Sequence, residues 1–315
     1  MEQKAVLTVK ELRKAYGDFK AVDGISFEVR RGEVFGLLGP NGAGKTTTIR
    51  MICGLLKADS GEITVEGYTL AKNYSTIKAM IGLCPQELVV WGLLTCMEQL
   101  KFTALSYGMS AGNAARKAEE ILNSLGLADK KNKLAKTLSG GMQRRLNLAL
   151  ALVHDPEIII LDEPQAGLDP QSRILVRDFI RKLAREKTVI LTTHDMDEAE
   201  RLTDRVAIID YGRVLALDTP ENLKEKSGLG DLLQIRVEQM EESVAEKLLQ
   251  ALPAVIAERR YSDGYFYFSG SDLLELIPAI QQVFHQKGRG IKDMTIRKRT
   301  LEDVFIAMTG RGLRE

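Results

Sequence analysis

The sequence predicts an α/β protein of two domains, a larger one with buried parallel strands and a smaller α+β one. Three observations lead there. Val34–Leu38, Glu157–Leu161 and Thr188–Thr192 are continuous apolar runs bounded by turns, the pattern of strands covered on both faces. The segments between them switch to helical spacing, and the first run leads straight into a glycine-rich turn and a helix. Residues 231–315 form a separate β-α-β-β-α-β series. A length of 315 residues suits one large and one small domain.

Taken in order, residues 4–10 and Ile25–Val29 alternate as strands. Between them Lys14-Ala15-Tyr16-Gly17-Asp18 is a polar turn carrying one aromatic. Tyr16 is either a stacking face for a planar base or a surface tyrosine covering the sheet. The run Val34-Phe35-Gly36-Leu37-Leu38 precedes Gly39-Pro40-Asn41-Gly42-Ala43-Gly44-Lys45-Thr46, and a helical pattern follows through Ile49, Met51, Ile52 and Leu55. Strand, glycine turn and helix are the context of a phosphate-binding loop. Glycines let successive backbone N–H groups turn inward, and the helix start adds partial positive charge. Asn41, Gly42, Gly44, Lys45, Thr46 and Thr47 are therefore expected to bind a nucleotide. Lys45 would reach the β/γ-phosphates, and the Thr46 hydroxyl would bind Mg²⁺.

Ser60–Gly67 reads as turn, strand, turn, and residues 79–84 as a strand ending at Pro85-Gln86-Glu87. From Thr95 to Leu127 the spacing is helical, a helical insert between strands. Leu138-Ser139-Gly140-Gly141-Met142-Gln143 opens a further helix running to Val153, with Ser139 as its N-cap. On the residues alone this is either a second anion site or a plain capped helix, the latter being commoner.

The Glu157–Leu161 strand ends in Asp162-Glu163-Pro164, two acids at the strand edge where doubly wound sheets bind ligands. Adjacent strand residues point different ways, so Asp162 can serve a metal while Glu163 addresses a water. Ala166–Pro170 turns into a helix with proline at its first position. Thr188–Thr192 leads to Thr193-His194-Asp195, with Asp195 expected to cap a helix and Glu198 to complete a box-like pattern. His194, at a second strand end, is expected to contact phosphate or water. Val206–Asp210 and Val214–Leu217 flank the tight pair Tyr211-Gly212, and Thr219-Pro220-Glu221 starts a short helix.

Ser227-Gly228-Leu229-Gly230 reads as a linker, which divides the chain into domains 1–226 and 231–315. Strands are expected at 232–237, 255–259, 265–268 and 291–298, helices at 244–252 and 273–284, and a last helix capped at Thr300. That order is the split pattern of ferredoxin-like domains. Tyr261, Tyr265, Phe266 and Tyr267 alternate as a packed sheet face would.

Composition narrows the function. With 44% hydrophobic and 28% charged residues the chain is ordinary for a globular protein, and a net charge of +1 gives no footprint for nucleic acid. The three cysteines, Cys53, Cys84 and Cys96, form no CxxC pair, so structural thiols in a reduced compartment are expected. No apolar run approaches the ~20 residues that cross a bilayer. Work at a membrane would therefore go through a partner.

With Gly39–Thr46, Gln86, Leu138–Gln143, Asp162-Glu163 and His194 all in this order, the chain resembles the ATP-binding subunit of an ABC transporter over residues 1 to about 225. The resemblance implies a P-loop nucleotide-binding domain with a mixed sheet core, an antiparallel β edge and a helical subdomain at about 88–155. It identifies Leu138–Gln143 with the family's signature motif, so that Ser139, Gly140 and Gly141 would contact the γ-phosphate held by the other subunit of a dimer. It further implies that Tyr16 stacks on adenine, Gln86 senses Mg²⁺ and the γ-phosphate, and Asp162 supports Mg²⁺. Glu163 would be the general base and His194 would hold the γ-phosphate, with Lys45 completing the catalytic set. Asp169 would lie at the dimer contact.

Leu301-Glu302-Asp303-Val304-Phe305 through Thr309-Gly310-Arg311 resembles the ending of drug- and antibiotic-type exporter subunits. The implied partners are a second copy and an integral membrane permease on a separate chain, not nucleic acid, with the protein cytoplasmic on the inner face of the membrane. ATP and Mg²⁺ are the implied ligands. Gln165-Ala166 departs from the Thr or Ser followed by a small residue that many members carry. Val89-Val90-Trp91 either lines a groove for the membrane partner or packs locally. The rival readings are a soluble ABC ATPase acting on ribosomes or DNA, an importer subunit, and a nucleotide-binding regulator.

Overall fold

The computed structural model describes residues 4–227, 230–238, 240–252, 258–270 and 273–310. They form two compact units, one ending at Thr219 and the other beginning at Pro220.

The first unit opens with β1 (Ala5–Tyr16) and β2 (Phe19–Arg30), which pair antiparallel from Ala5↔Arg30 to Tyr16↔Phe19. The expected polar turn between two short strands is thus the end of one long hairpin. Register shifts between Val9 and Leu12, where Glu11 has φ 48°, break the period-two alternation, so neither strand shows its full length in the sequence. There follow β3 (Val34–Leu38), α1 (Lys45–Ile52), β4 (Ser60–Val65), β5 (Tyr68–Thr69), α2 (Tyr74–Met80) and β6 (Ile81–Cys84). The strand expected at 79–84 begins two residues late because Ala79 and Met80 close α2; an unbroken apolar run cannot mark that boundary.

The helical insert consists of α3 (Cys96–Ser106), α4 (Ala111–Ser124) and α5 (Gly140–Leu152). Thr95 and Glu98 form a reciprocal box at the start of α3, and Ser110 caps α4. Then come β7 (Ile158–Asp162), α6 (Pro170–Leu183), β8 (Thr188–Thr193), α7 (Met196–Leu202), β9 (Arg205–Asp210) and β10 (Arg213–Asp218). The central sheet runs β10-β9-β3-β8-β7-β6, parallel except for β10, and β2-β1-β4-β5 forms a separate antiparallel sheet.

Alternation divides the central strands between two cores. Phe35, Leu37, Ile158, Ile160 and Ile190 pack with α1 and the antiparallel sheet, while Val34, Ile159, Leu161, Val189 and Leu191 pack with the helices of the insert. Burial on both faces contributes about 1.5–3 kcal/mol per large aliphatic side chain. It also leaves the carboxyl ends of β3, β7 and β8 side by side at one edge.

The second unit holds α8 (Pro220–Lys226), β11 (Asp231–Val237), α9 (Glu242–Ala251), β12 (Glu258–Ser262), β13 (Tyr265–Gly270), α10 (Leu273–Gln286), β14 (Ile291–Arg297) and α11 (Leu301–Thr309). Its sheet order β12-β13-β11-β14, antiparallel throughout, is the ferredoxin-like arrangement. Leu233, Ile235, Phe266 and Phe268 form its core with α9 and α10. Tyr265 and Tyr267 take the other face, half-buried, under Arg236 and Arg260. Helix α8 packs on α11, which moves the division ahead of the expected boundary at 227–230. Gly228, Leu229, Val255–Ala257 of an expected strand, and Arg311 lie outside the described residues. Among the described residues, no helix is long and apolar enough to cross a membrane.

Candidate active site

The chain leaves β3 at Leu38 and turns through Gly39–Gly44 into α1. Gly44 has φ 103°, and a Cβ there would lie 2.4 Å from the Ala21 carbonyl oxygen, so only glycine lets the loop close against β2. No side chain caps α1 and its first turn has no acid, so the N–H groups at the helix start face the loop uncompensated by any carboxylate. Lys45 is buried. Its Nζ donates to the carbonyls of Gly39 (2.7 Å) and Pro40 (3.2 Å) and lies 3.5 Å from Glu163 Oε1. Burial pulls its pKa below the usual lysine value, opposed by the Glu163 carboxylate. A desolvated ammonium held by weak carbonyl acceptors gains by exchanging them for phosphate oxygens.

Strand β7 delivers Asp162 in register with Thr192 of β8. Asp162 Oδ1 accepts from Thr192 Oγ1 (2.5 Å) and from Thr46 Oγ1 (3.3 Å). A hydroxyl and a carboxylate oxygen so placed suit Mg²⁺, a hard cation that takes one or two protein oxygens beside substrate phosphates. Glu163 adopts a left-handed φ of 48°, and its N–H donates to Thr192 Oγ1 (3.0 Å). Both oxygens of its carboxylate are 3.0 Å from His194 Nδ1. The carboxylate is nearly buried and the imidazole half exposed. The pair can hold a water and take its proton.

Tyr16, the loop residues Asn41 to Thr47, Gln86 and Glu163 line one cleft of about 280 Å³. Tyr16, 54% exposed, is among the residues lining it. Phe19, 60% exposed, joins it there. Phe19 follows the polar turn directly, and its signal is an aromatic directly across the hairpin from Tyr16, visible only once the hairpin's end is known. Thr192 was also missed, since a hydroxyl inside an apolar strand gains meaning only from its register with Asp162.

Ser139, Gly140 and Gly141 do not line this cleft. Ser139 caps α5, its Oγ accepting from Met142 N at 3.3 Å. A Cβ on Gly140 would meet open space, whereas one on Gly141 would lie 2.5 Å from Ser172 Oγ. Ser172 Oγ donates to Asp169 Oδ2 at 2.6 Å, so the carboxylate that caps α6 lies close to the signature turn of its own chain. The Asp195–Glu198 box is half formed. Asp195 accepts from Glu198 N, but the Glu198 carboxylate takes the Thr193 hydroxyl instead. Burial pushes the Glu198 pKa up to about 7. Val90 packs into the core, while Val89 and Trp91 line an apolar groove of about 360 Å³ with Leu55, Tyr74 and Tyr107. The three thiols are free, and burial raises all of them.

The cleft and the residues beside it thus bring together a glycine-rich loop at a helix start, a hydroxyl–carboxylate oxygen pair suited to a metal, and a carboxylate–imidazole pair. Residues 22–166 match the family model described as ABC transporter. The chain is 38% identical to the linearmycin resistance ATP-binding protein LnrL of Bacillus subtilis, over 98% of this chain and 100% of that protein. It is 36% identical to a Nod factor export ATP-binding protein I of Ralstonia nicotianae, over 98% and 95%. A solved dimeric post-hydrolysis state of the ATP-binding cassette MJ0796, bound to ADP and Pi, superimposes with a TM-score of 0.62 at 27% identity, covering 68% of this chain and 98% of that one. This chain belongs to the ABC transporter family, as an ATP-binding subunit that hydrolyses ATP with Mg²⁺.

Proposed function

We propose that the chain is the motor of an exporter, closing head-to-tail on a second copy and driving a membrane permease carried on another polypeptide. One observation carries this reading: the Ser139-Gly140 turn that would face a γ-phosphate is exposed and lies outside the cleft of its own chain. The open space at Gly140 fits a turn approached closely by a ligand on another molecule. The dimeric state of the similar cassette bound to ADP and Pi supports the same assembly.

In this assembly Tyr16, with Phe19, stacks on the base, and Asn41, Gly42, Gly44, Lys45, Thr46 and Thr47 cradle the phosphates. Thr46, Asp162 and Gln86 address Mg²⁺, which neutralises developing charge on the phosphates when bound. Glu163 accepts the proton of the attacking water, and His194 holds the γ-phosphate and orients the base. Phosphoryl transfer needs positioning and charge compensation more than covalent help, and these residues supply both. ATP closes the dimer because it touches both faces only in the closed state, and hydrolysis withdraws that difference.

The groove at Val89 and Trp91 suits an amphipathic helix of the permease, with Leu55, Tyr74, Val89 and Trp91 as its exposed apolar lining. Export as the direction, and work at the inner face of the cell membrane, rest on the names of the relatives and on the C-terminal ending. Affinity isolation from detergent-solubilised membranes tests the reading: a co-purifying polytopic membrane protein is expected, and recovery of ribosomes or DNA would refute it.

A further inference from the structure

Helix α5 carries a polar pair with no counterpart among the residues assigned above. Arg144 is 3% exposed and Asn147, one turn further on the same face, is fully buried. The Arg144 guanidinium gives all its donors to main-chain carbonyls of two separate segments. Nη1 reaches Pro85 O (2.8 Å) and Gln86 O (2.7 Å). Nη2 reaches Asp162 O (3.0 Å) and Glu163 O (2.6 Å), and Nε reaches Pro164 O (3.1 Å). Three consecutive carbonyls, 162 to 164, converge on one cation, and the left-handed φ of Glu163 lies at the middle of them. Asn147 Nδ2 holds Pro85 O and Glu87 O at 3.3 Å, and its Oδ1 accepts from Val89 N at 3.2 Å. These bonds fix the backbone of Gln86 and of Glu163 to one helix, and that helix starts at Ser139.

We propose that Arg144, supported by Asn147, is a positioning residue that makes the signature helix of each subunit hold that subunit's own Gln86 and Glu163. On the dimeric reading above, on which this inference rests, Ser139 touches the nucleotide of the second copy. Any displacement of α5 by that contact is passed through the guanidinium to the base and to the Gln86 loop of its own chain. The two hydrolysis sites are thereby coupled. A lysine cannot replace this link, because a point charge lacks the planar fork that spans five acceptors.

Trp91, the single tryptophan of the chain, ends the same loop, its main-chain N–H donating to Gln99 Oε1 at 3.2 Å, and so reports the loop by its fluorescence. In the full-length chain, Arg144→Lys should bind a fluorescent ATP analogue within about threefold of wild type, yet lose about tenfold or more in turnover. Its Hill coefficient for ATP should fall to one, and the ATP-induced change in Trp91 emission should shrink by about half or more. Asn147→Leu leaves the guanidinium bonds in place and should show the same direction with a smaller loss. If Arg144→Lys does not fold, the Asn147→Leu result decides. Cooperative hydrolysis by wild type together with unchanged turnover, Hill coefficient and Trp91 response in the variants would overturn the positioning role alone. A wild-type chain that hydrolyses ATP without cooperativity or ATP-driven dimerisation would overturn the dimeric reading, and this inference with it.

Discussion

Replacing Glu163 with Gln removes the charge and the basicity of one carboxylate while keeping its shape. Two effects follow from its two contacts. The carboxylate paired with His194 at 3.0 Å is the proposed proton acceptor, and loss of a general base costs about 10² to 10⁴ in rate, about 3–5 kcal/mol. The same carboxylate lies 3.5 Å from Lys45 Nζ. At an effective dielectric of about 20 that separation corresponds to about 5 kcal/mol of gross attraction, most of it offset by desolvation of the pair. A net loss of about 1 kcal/mol would leave Lys45 more available to phosphate and raise ATP affinity about fivefold. Glu163→Gln is therefore predicted to bind ATP at least as tightly as wild type, to accumulate as an ATP-bound dimer in light scattering, and to release phosphate at least about 10²-fold more slowly. Phosphate release within tenfold of wild type, or weaker ATP binding, would refute the assignment of this carboxylate.

Three further outcomes are expected. Lys45→Ala should weaken ATP binding about 10- to 100-fold, the worth of a charge-assisted hydrogen bond to phosphate, and unchanged affinity in a titration would contradict the phosphate-loop assignment. Gly140→Ala should leave the melting temperature unchanged, since a Cβ there meets nothing, and should reduce ATP-driven dimerisation. Gly141→Ala instead forces Ser172 off Asp169 and should cost about 1 kcal/mol, or 2–4 °C in melting temperature; equal behaviour of the two variants would count against the distinction.

Glu198 has its pKa raised from 4.5 to about 7, so the folded state binds its proton more tightly than the unfolded state does. Its contribution, on the order of 3 kcal/mol, is fully present below about pH 4.5 and is lost as pH rises through about 7. Glu198→Gln should flatten that fall in urea unfolding between pH 5 and 8, and an unchanged profile would refute the assignment.

Most of the cleft was legible in the sequence because its parts are local. A strand, a glycine turn and a helix start follow one another without a break, and Asp162-Glu163 and His194 each end an apolar run, so spacing alone places them at one sheet edge. Tyr16 could not be decided that way. Its role depends on where the hairpin of β1 and β2 ends, and the bulge at Glu11 hides that hairpin's length. Phe19 was lost for the same reason. Arg144 was invisible on other grounds: an arginine near a helix start reads as solvated surface, and only the fold brings five carbonyls from residues 85–86 and 162–164 around it. The division between the units moved from the glycine-rich segment to Thr219 because helix packing decides it, and composition does not.

By itself, then, the sequence determined the fold class, the glycine-rich loop between strand and helix and the acids at the neighbouring strand end, since each is written in residues close along the chain. Tertiary structure decided which hydroxyls and guanidinium hold those acids and which aromatics line the cleft. It also decided that the Ser139 turn lies outside the cleft it is proposed to complete in a second copy. Those relations join residues tens of positions apart, and they exist only once parallel strands in register and helices packed on both faces have brought them together.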